Sequence, residues 1–311
     1  MVADVAGGLP SATILRTAGV SDMQPSESVF LAIRGLRYHC RCWGDPAAPK
    51  LFLLHGWMDV SASFQFFVDA LAGRWHAIAP DWRGYGLTQW SGADSYWFPD
   101  YLADLDALLT HWSPMQPVAL IGHSMGGNVA SLYSGVRPER VAKLVNLEGF
   151  GLSGTDPARA PVRYGEWLEE LGQPQRFRDY ASFDELAARL CRSNPRLTPE
   201  RAQFLAQHWG TASADGRVCL RSDPAHKRTN PVLYRLDEAK ACWRRVTAPV
   251  LWVEGGESQT LARLRLESAE LEERKRCFAS LTTRTLAEAG HMAHHDQPEQ
   301  LARMVEEFLR A

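Results

Sequence analysis

Short apolar runs alternate along this chain with segments in which apolar residues recur every three or four positions. Runs typical of buried strands occupy residues 29–33, 36–43, 51–54, 75–80, 118–121, 141–147, 249–253 and 282–286. Helical spacing occupies 101–112, 128–133, 184–192, 199–209, 261–281 and 298–309. This alternation predicts an α/β fold, with a mostly parallel central sheet that helices flank on both faces.

The alternation is interrupted over residues 150–245, which are rich in Arg, Glu and Pro and contain amphipathic segments without a clear buried strand. That composition is typical of a helical cap inserted between core strands. We therefore predict an α/β core over 29–149 and 246–311, a helical cap over 150–245, and a flexible N-terminal arm over 1–28.

The bulk composition excludes several classes of function. The net charge of −2 over 311 residues gives no argument for nucleic-acid binding or for an anionic membrane surface. No apolar run reaches the ~18 residues that a membrane span needs, and the first residues lack a secretory leader pattern. The six cysteines have no paired spacing and are expected to be reduced, so we expect a cytoplasmic protein.

The most informative motif is a G-x-S-x-G sequence at residues 122–126. It lies between a predicted strand and a predicted helix, which is the context of a nucleophile elbow. Gly122 and Gly126 allow the strand and the helix to approach closely, so the hydroxyl of Ser124 is held above the sheet. The N–H of Met125, at the start of the helix, would point to a developing oxyanion.

Four landmarks in chain order resemble the α/β-hydrolase superfamily, over nearly the whole chain from about residue 29. They are His55-Gly56, Asp81-x-Arg83-Gly84-x-Gly86, the Ser124 elbow and Gly290-His291. The chain is most similar to capped bacterial hydrolases near the serine hydrolase-like branch. Dehalogenases and epoxide hydrolases of this fold have Asp at the elbow, so Ser124 favours acyl transfer instead.

The resemblance also implies the other members of the site. His291, after the last strand, would be the general base that activates Ser124. The backbone N–H of Trp57, which follows His55-Gly56, would form the oxyanion hole together with that of Met125. His55 is expected to brace this loop.

The acid that orients His291 has two candidates. The family usually places an Asp after the strand at 249–253, where this chain has Ser258 with Glu257 one residue earlier. Some relatives instead place a Glu after the strand that follows the elbow helix, which is Glu148 here. We favour Glu148, because a charge at the carboxyl end of a parallel strand faces the usual ligand crevice.

These residues predict a cofactor-free hydrolase of carboxylic esters or related acyl compounds. Hydrolysis of a carbon–carbon bond in a ring-cleavage diketone, or of a lactone, is a second hypothesis; a non-catalytic ligand-binding homologue is a third. We expect no metal ion, since His291, His294 and His295 lack the remaining ligands of a zinc site, and no dinucleotide motif is present. Aromatic residues suggest an apolar or aromatic small-molecule substrate; the candidates for the pocket wall are Trp57, Phe64, Trp82, Tyr85, Trp97, Phe150, Tyr164, Trp167 and Trp209.

Overall fold

The computed structural model describes residues 15–16 and 23–311. The strands are β1 (Leu15–Arg16), β2 (Ser26–Ile33), β3 (Leu36–Trp43), β4 (Lys50–Leu54), β5 (His76–Pro80), β6 (Val118–His123), β7 (Val141–Leu147), β8 (Gly210–Ala212), β9 (Val218–Leu220), β10 (Val250–Gly255) and β11 (Leu281–Leu286). The α-helices of the described residues are α1 (Gln65–Asp69), α2 (Phe98–Trp112), α3 (Met125–Val136), α4 (Ala160–Leu171), α5 (Phe183–Ser193), α6 (Pro199–Trp209), α7 (Leu236–Trp243), α8 (Thr260–Leu264), α9 (Ser268–Lys275), α10 (Ala293–Asp296) and α11 (Pro298–Arg310).

Nine of these strands form one sheet in the order β1-β2-β3-β5-β4-β6-β7-β10-β11. The pairs β1-β2, β2-β3 and β3-β5 are antiparallel, and every pair along β5-β4-β6-β7-β10-β11 is parallel. The prediction of an α/β fold with a mostly parallel sheet is therefore confirmed. The carboxyl ends of β4, β6, β7 and β10 lie side by side, and the loops that follow them meet at one edge of the sheet.

The two faces of the sheet follow from the alternation of side chains along each strand. Phe52 and Leu54 of β4 pack in the core cluster that contains residues of α2, α3 and α7. Leu51 and Leu53, one position out of phase, pack in the cluster that contains residues of α1 and α11. Both faces of the central strands are thus buried, which explains their continuous apolar runs.

The segment between β7 and β10 carries α4 to α7 and a short hairpin of β8 and β9. Helices α5 and α6 pack against each other in a separate apolar cluster. Two details differ from the predicted cap over 150–245. Strands β8 and β9 lie within it, and α7 packs against α3 of the core because Ala239 and Trp243 join the cluster beneath it.

Two further boundaries differ from the sequence prediction. Strand β2 begins at Ser26, so residues 26–28 belong to the sheet and not to the predicted arm, most of which lies outside the described residues. The predicted helix over 261–281 is wrong: the chain forms α8 and α9, separated by Arg265 in a left-handed conformation with φ of 52°. The buried side chain of Leu266 follows directly and anchors the break. In residues 15–16 and 23–311, no helix combines the length and apolarity needed to span a membrane.

Candidate active site

Ser124 lies at the sharp turn between β6 and α3. Its φ of 52° is positive, which strains a residue that has a Cβ atom. The surrounding backbone holds this conformation, since the Ser124 N–H donates to the carbonyl of Leu147 at 2.8 Å and the Ser124 carbonyl accepts from the N–H of Asn128 at 2.9 Å. Ser124 consequently stands at the carboxyl edge of the sheet, where it lines a cavity.

Two glycines let neighbouring backbone approach this turn. A Cβ atom on Gly126 would lie 2.1 Å from the carbonyl oxygen of Leu54, so only glycine lets α3 begin this close to β4. A Cβ atom on Gly56 would lie 3.2 Å from Cβ of Ser124. The loop after β4 therefore packs directly against the serine.

The structure brings His291 to Ser124. Nε2 of His291 lies 3.0 Å from Oγ of Ser124, and Nδ1 lies 3.2 Å from Oε2 of Glu148. Serine, imidazole and carboxylate thus form a continuous hydrogen-bonded chain. Such a chain can take the proton of the serine hydroxyl and stabilise the imidazolium that results.

Glu148 is the candidate acid that the structure places at His291. Its side chain is 1% exposed, and its backbone has a positive φ of 57° directly after β7. The N–H of Gly255 in the neighbouring strand β10 donates to its Oε1 at 2.7 Å. Glu257 is not the partner of His291: its carboxylate is 53% exposed and forms an ion pair with Arg196 of the cap.

Two hydroxyl groups that sequence reasoning gave no role complete this network. Ser258, at the usual position of the acid, donates to Oε2 of Glu148 at 2.5 Å. A serine hydroxyl has one hydrogen, so the Ser258 oxygen accepts from the hydroxyl of Thr260, 2.9 Å away. The Thr260 oxygen in turn lies 2.9 Å from Nδ1 of His291. The serine at residue 258, where the family usually has Asp, was the sequence signal that this position has a different role here.

The two predicted oxyanion donors flank Ser124. Met125 is the first residue of α3, so its N–H has no acceptor within the helix. Trp57 follows Gly56 in the loop that packs on the serine, and its side chain is exposed to the cavity. Within residues 15–16 and 23–311, neither amide donates a hydrogen bond to another protein group.

His123 holds the backbone of His291 in place, a role that the sequence motif did not reveal. Its Nε2 donates to the carbonyl oxygen of His291 at 2.8 Å, which holds the backbone of that residue. Burial, followed by the nearby His294 and His291, keeps the pKa of His123 well below its usual value. The ring is therefore neutral, and its Nδ1 carries a lone pair.

The loop that contains Trp57 is braced as expected at His55. Nε2 of His55 accepts from the N–H of Trp82 at 2.9 Å, and Nδ1 donates to the carbonyl of Gly56 at 2.8 Å. Burial lowers the pKa of His55, so the ring stays neutral and can donate one hydrogen bond while it accepts the other. Arg83, in the second landmark motif, forms a bidentate ion pair with the buried carboxylate of Asp104, both contacts at 2.6 Å.

Three buried metal-ligating side chains lie beside the site. The donor atoms of Asp59, His123 and His294 all lie within 4.8 Å of one another. Among the described residues, Oδ2 of Asp59, Nδ1 of His123 and both ring nitrogens of His294 have no hydrogen-bond partner, although His294 Nε2 lies 3.8 Å from Asp59 Oδ2. This group shares only His294 with the three histidines at 291–295, for which the sequence predicted no zinc site. Carboxylate and imidazole ligands of this kind are able to hold a transition-metal ion.

A cavity of about 1230 Å³ lies between the cap and the core and contains Ser124 and His291. Trp57 and Trp209 line it, whereas the other seven aromatic residues proposed for its wall do not. Phe64, Trp82, Tyr85 and Phe150 are fully buried in the core instead. The apolar wall comes largely from leucines of the cap: Leu186, Leu190, Leu197, Leu205 and Leu220.

Curated relatives match this chain over most of its length. A serine hydrolase-like protein of Danio rerio is 26% identical over 253 residues, which are 78% of this chain and 76% of that protein. The 3-hydroxybutyrate-oligomer hydrolase of Cupriavidus necator is 29% identical over 274 residues, which are 84% of this chain and 88% of that protein.

Solved structures show the same fold. The thioesterase domain from the curacin biosynthetic pathway has a TM-score of 0.81 and 23% identity, over 91% of this chain and 99% of that one. The resemblance predicted from the four landmarks is confirmed, because the model of the alpha/beta hydrolase family matches residues 51–304. This protein belongs to the alpha/beta hydrolase family.

Proposed function

We propose that this protein is a serine hydrolase of carboxylic esters or related acyl compounds, with Ser124 as nucleophile, His291 as general base and Glu148 as the acid. The observation that carries the proposal is the chain of contacts at 3.0 Å between Ser124 and His291 and at 3.2 Å between His291 and Glu148. A serine hydroxyl becomes nucleophilic at neutral pH only when such a base accepts its proton.

The reaction has two halves. Oγ of Ser124 attacks the substrate carbonyl carbon while its proton passes to Nε2 of His291, and the N–H groups of Trp57 and Met125 stabilise the oxyanion. His291 then gives this proton to the departing alcohol or thiol, which leaves an acyl-enzyme. Water, deprotonated by His291, attacks the acyl carbonyl, and the acid product departs as Ser124 regains its proton.

The names of related proteins support an acyl substrate. The Cupriavidus relative is called a hydrolase of 3-hydroxybutyrate oligomers, and the domain of similar fold is called a thioesterase. The leucine wall of the cavity suits an apolar acyl chain. The contact between Glu148 and His291 also weakens the non-catalytic hypothesis, because it offers the imidazole a carboxylate where the usual Asp at residue 258 is missing.

The test compares hydrolysis of p-nitrophenyl esters, from acetate to octanoate, by the wild type and by Ser124→Ala. We expect turnover by the wild type alone, together with labelling of Ser124 by a fluorophosphonate probe, located by peptide mass spectrometry. Labelling without ester turnover would redirect the search to lactones and ring-cleavage diketones. A folded wild type that neither turns over esters nor reacts with the probe would contradict the proposal.

A further inference from the structure

Six cationic side chains line the cavity that contains Ser124 and His291. They are Arg178, Arg189, Arg192, Arg196, Lys227 and Arg263. Within the described residues, the acidic side chains that line it are Asp59 and Glu257. The whole chain is nearly balanced, with 34 basic and 36 acidic residues. The positive charge is therefore concentrated locally, around this cavity.

Two of the six cations are neutralised by ion pairs. Arg178 pairs with Glu185, and Arg196 pairs with Glu257. The remaining four have no acidic partner within residues 15–16 and 23–311; they are Arg189, Arg192, Lys227 and Arg263. Arg189 and Lys227 are held by neutral groups, the hydroxyl of Tyr180 at 2.9 Å and the carbonyl of Arg176 at 3.2 Å.

The unpaired cations come from separate elements that face the same space. Arg189 and Arg192 are three residues apart on α5, so they share one face of that cap helix. Lys227 belongs to the loop before α7, and Arg263 lies on α8 of the core. These four side chains are exposed to solvent, so their convergence on one cavity produces a field that favours anions and that salt screens.

We propose that this cavity selects acyl substrates that carry an oxyanionic group, a carboxylate or a phosphate, at a distance from the reacting carbonyl. This inference rests on the proposed function. Guanidinium groups bind both oxyanions through paired N–H donors. The leucine wall would contact the hydrocarbon part of the substrate, while the cations would contact the charged end.

The experiment uses two matched pairs of substrates. The mono-p-nitrophenyl ester of glutaric acid carries a carboxylate on the acyl side, and its methyl ester is the neutral counterpart. Butyryl-coenzyme A carries phosphates on the leaving group, and S-butyryl-N-acetylcysteamine is neutral. We expect kcat/KM to be about tenfold higher for the anionic member of at least one pair at about 0.05 M NaCl, and this ratio to fall towards one at about 0.5 M. The pair that shows the preference identifies the carboxylate or the phosphate as the group recognised.

The double variant Arg192→Gln/Arg263→Gln should lose most of this preference, because it removes two unpaired cations. The matched control is Arg303→Gln, which removes an exposed cation of α11 outside the cavity and should keep the wild-type ratio. The ratio of anionic to neutral substrate cancels any general loss of activity or folding.

The outcomes separate this inference from the proposed function. Ser124-dependent turnover with equal kcat/KM for both members of both pairs would overturn anion selection and leave the serine hydrolase intact. If no substrate is turned over, binding to Ser124→Ala is measured by calorimetry. The mono-4-nitroanilide of glutaric acid and its methyl ester then probe recognition of the carboxylate. Coenzyme A and N-acetylcysteamine probe recognition of the phosphates. Preferential binding of either anion that is lost in the Arg192→Gln/Arg263→Gln background supports anion selection, and equal binding within both pairs overturns it.

Discussion

The hydroxyl of Thr260 lies 2.9 Å from Nδ1 of His291, closer than the Glu148 carboxylate at 3.2 Å. Two acceptors therefore share the N–H of His291. Ser258 links them, since it contacts both Thr260 and Glu148. We interpret Ser258 and Thr260 as positioning residues that hold the imidazole and the acid in register.

Thr260→Val should lower kcat for a p-nitrophenyl ester about tenfold and leave KM nearly unchanged. The variant removes one acceptor for Nδ1–H while keeping the shape of the side chain. The orientation of His291 is therefore less restricted, whereas substrate binding is unchanged. Thr260→Ser restores the hydroxyl and should recover most of kcat. Equal kcat values for Thr260→Val and the wild type would show that Glu148 alone orients the ring.

Glu148→Gln should lower kcat about 10⁴-fold, the scale seen when a triad histidine loses its orienting carboxylate. The amide keeps the size of the side chain and an acceptor for the N–H of Gly255, so the fold is retained. Glu257→Gln is the matched comparison: its carboxylate is solvent-exposed and pairs with Arg196, so kcat should change little. A larger loss in Glu257→Gln than in Glu148→Gln would reverse the assignment of the acid.

The free energy of unfolding should decrease as the pH falls below about 6.5. Burial lowers the pKa of His226 from 6.5 to about 3, although its contact with the carbonyl of Arg83 opposes this shift. The unfolded chain then binds a proton that the folded protein does not, over the window from about pH 6.5 to about pH 3. Stability is complete above this window and is lost as protons are added.

His226→Gln should flatten that dependence. Removal of one titrating group reduces the slope by up to ~1.4 kcal/mol per pH unit near pH 5, measured by urea denaturation. His111→Gln, which removes an exposed imidazole on α2, is the matched control variant. Parallel slopes for wild type and His226→Gln would show that other groups cause the pH dependence.

Chelation should leave ester hydrolysis unchanged, because the proposed mechanism uses no metal ion. The protein is dialysed against EDTA, its metal content is measured by mass spectrometry, and kcat/KM is compared before and after. Loss of activity that Zn²⁺ restores would implicate the buried Asp59, His123 and His294. Asp59→Asn would then be expected to lower the amount of metal bound.

Local patterns in the chain were sufficient for much of the architecture. The apolar runs predicted β3 and β7 at their observed bounds, and helical spacing did so for α6. The prediction of one helix over 261–281 failed, because this segment is too charged for its apolar spacing to show where a helix ends. The break at Arg265 between α8 and α9 depends on burial of Leu266, and no pattern in this charged segment reveals that contact.

The sequence alone determined the alternation of core strands and helices and singled out Ser124 and His291, because these are properties of neighbouring residues. Only the tertiary structure shows that Glu148, and not Glu257, contacts His291. Glu148 and His291 are 143 residues apart and meet because the strands that precede them, β7 and β11, both pair parallel with β10. The same holds for the contacts of Ser258, Thr260 and His123 and for the cations around the cavity. Such groupings depend on which strand ends and cap helices become neighbours, and spacing along the chain does not encode that.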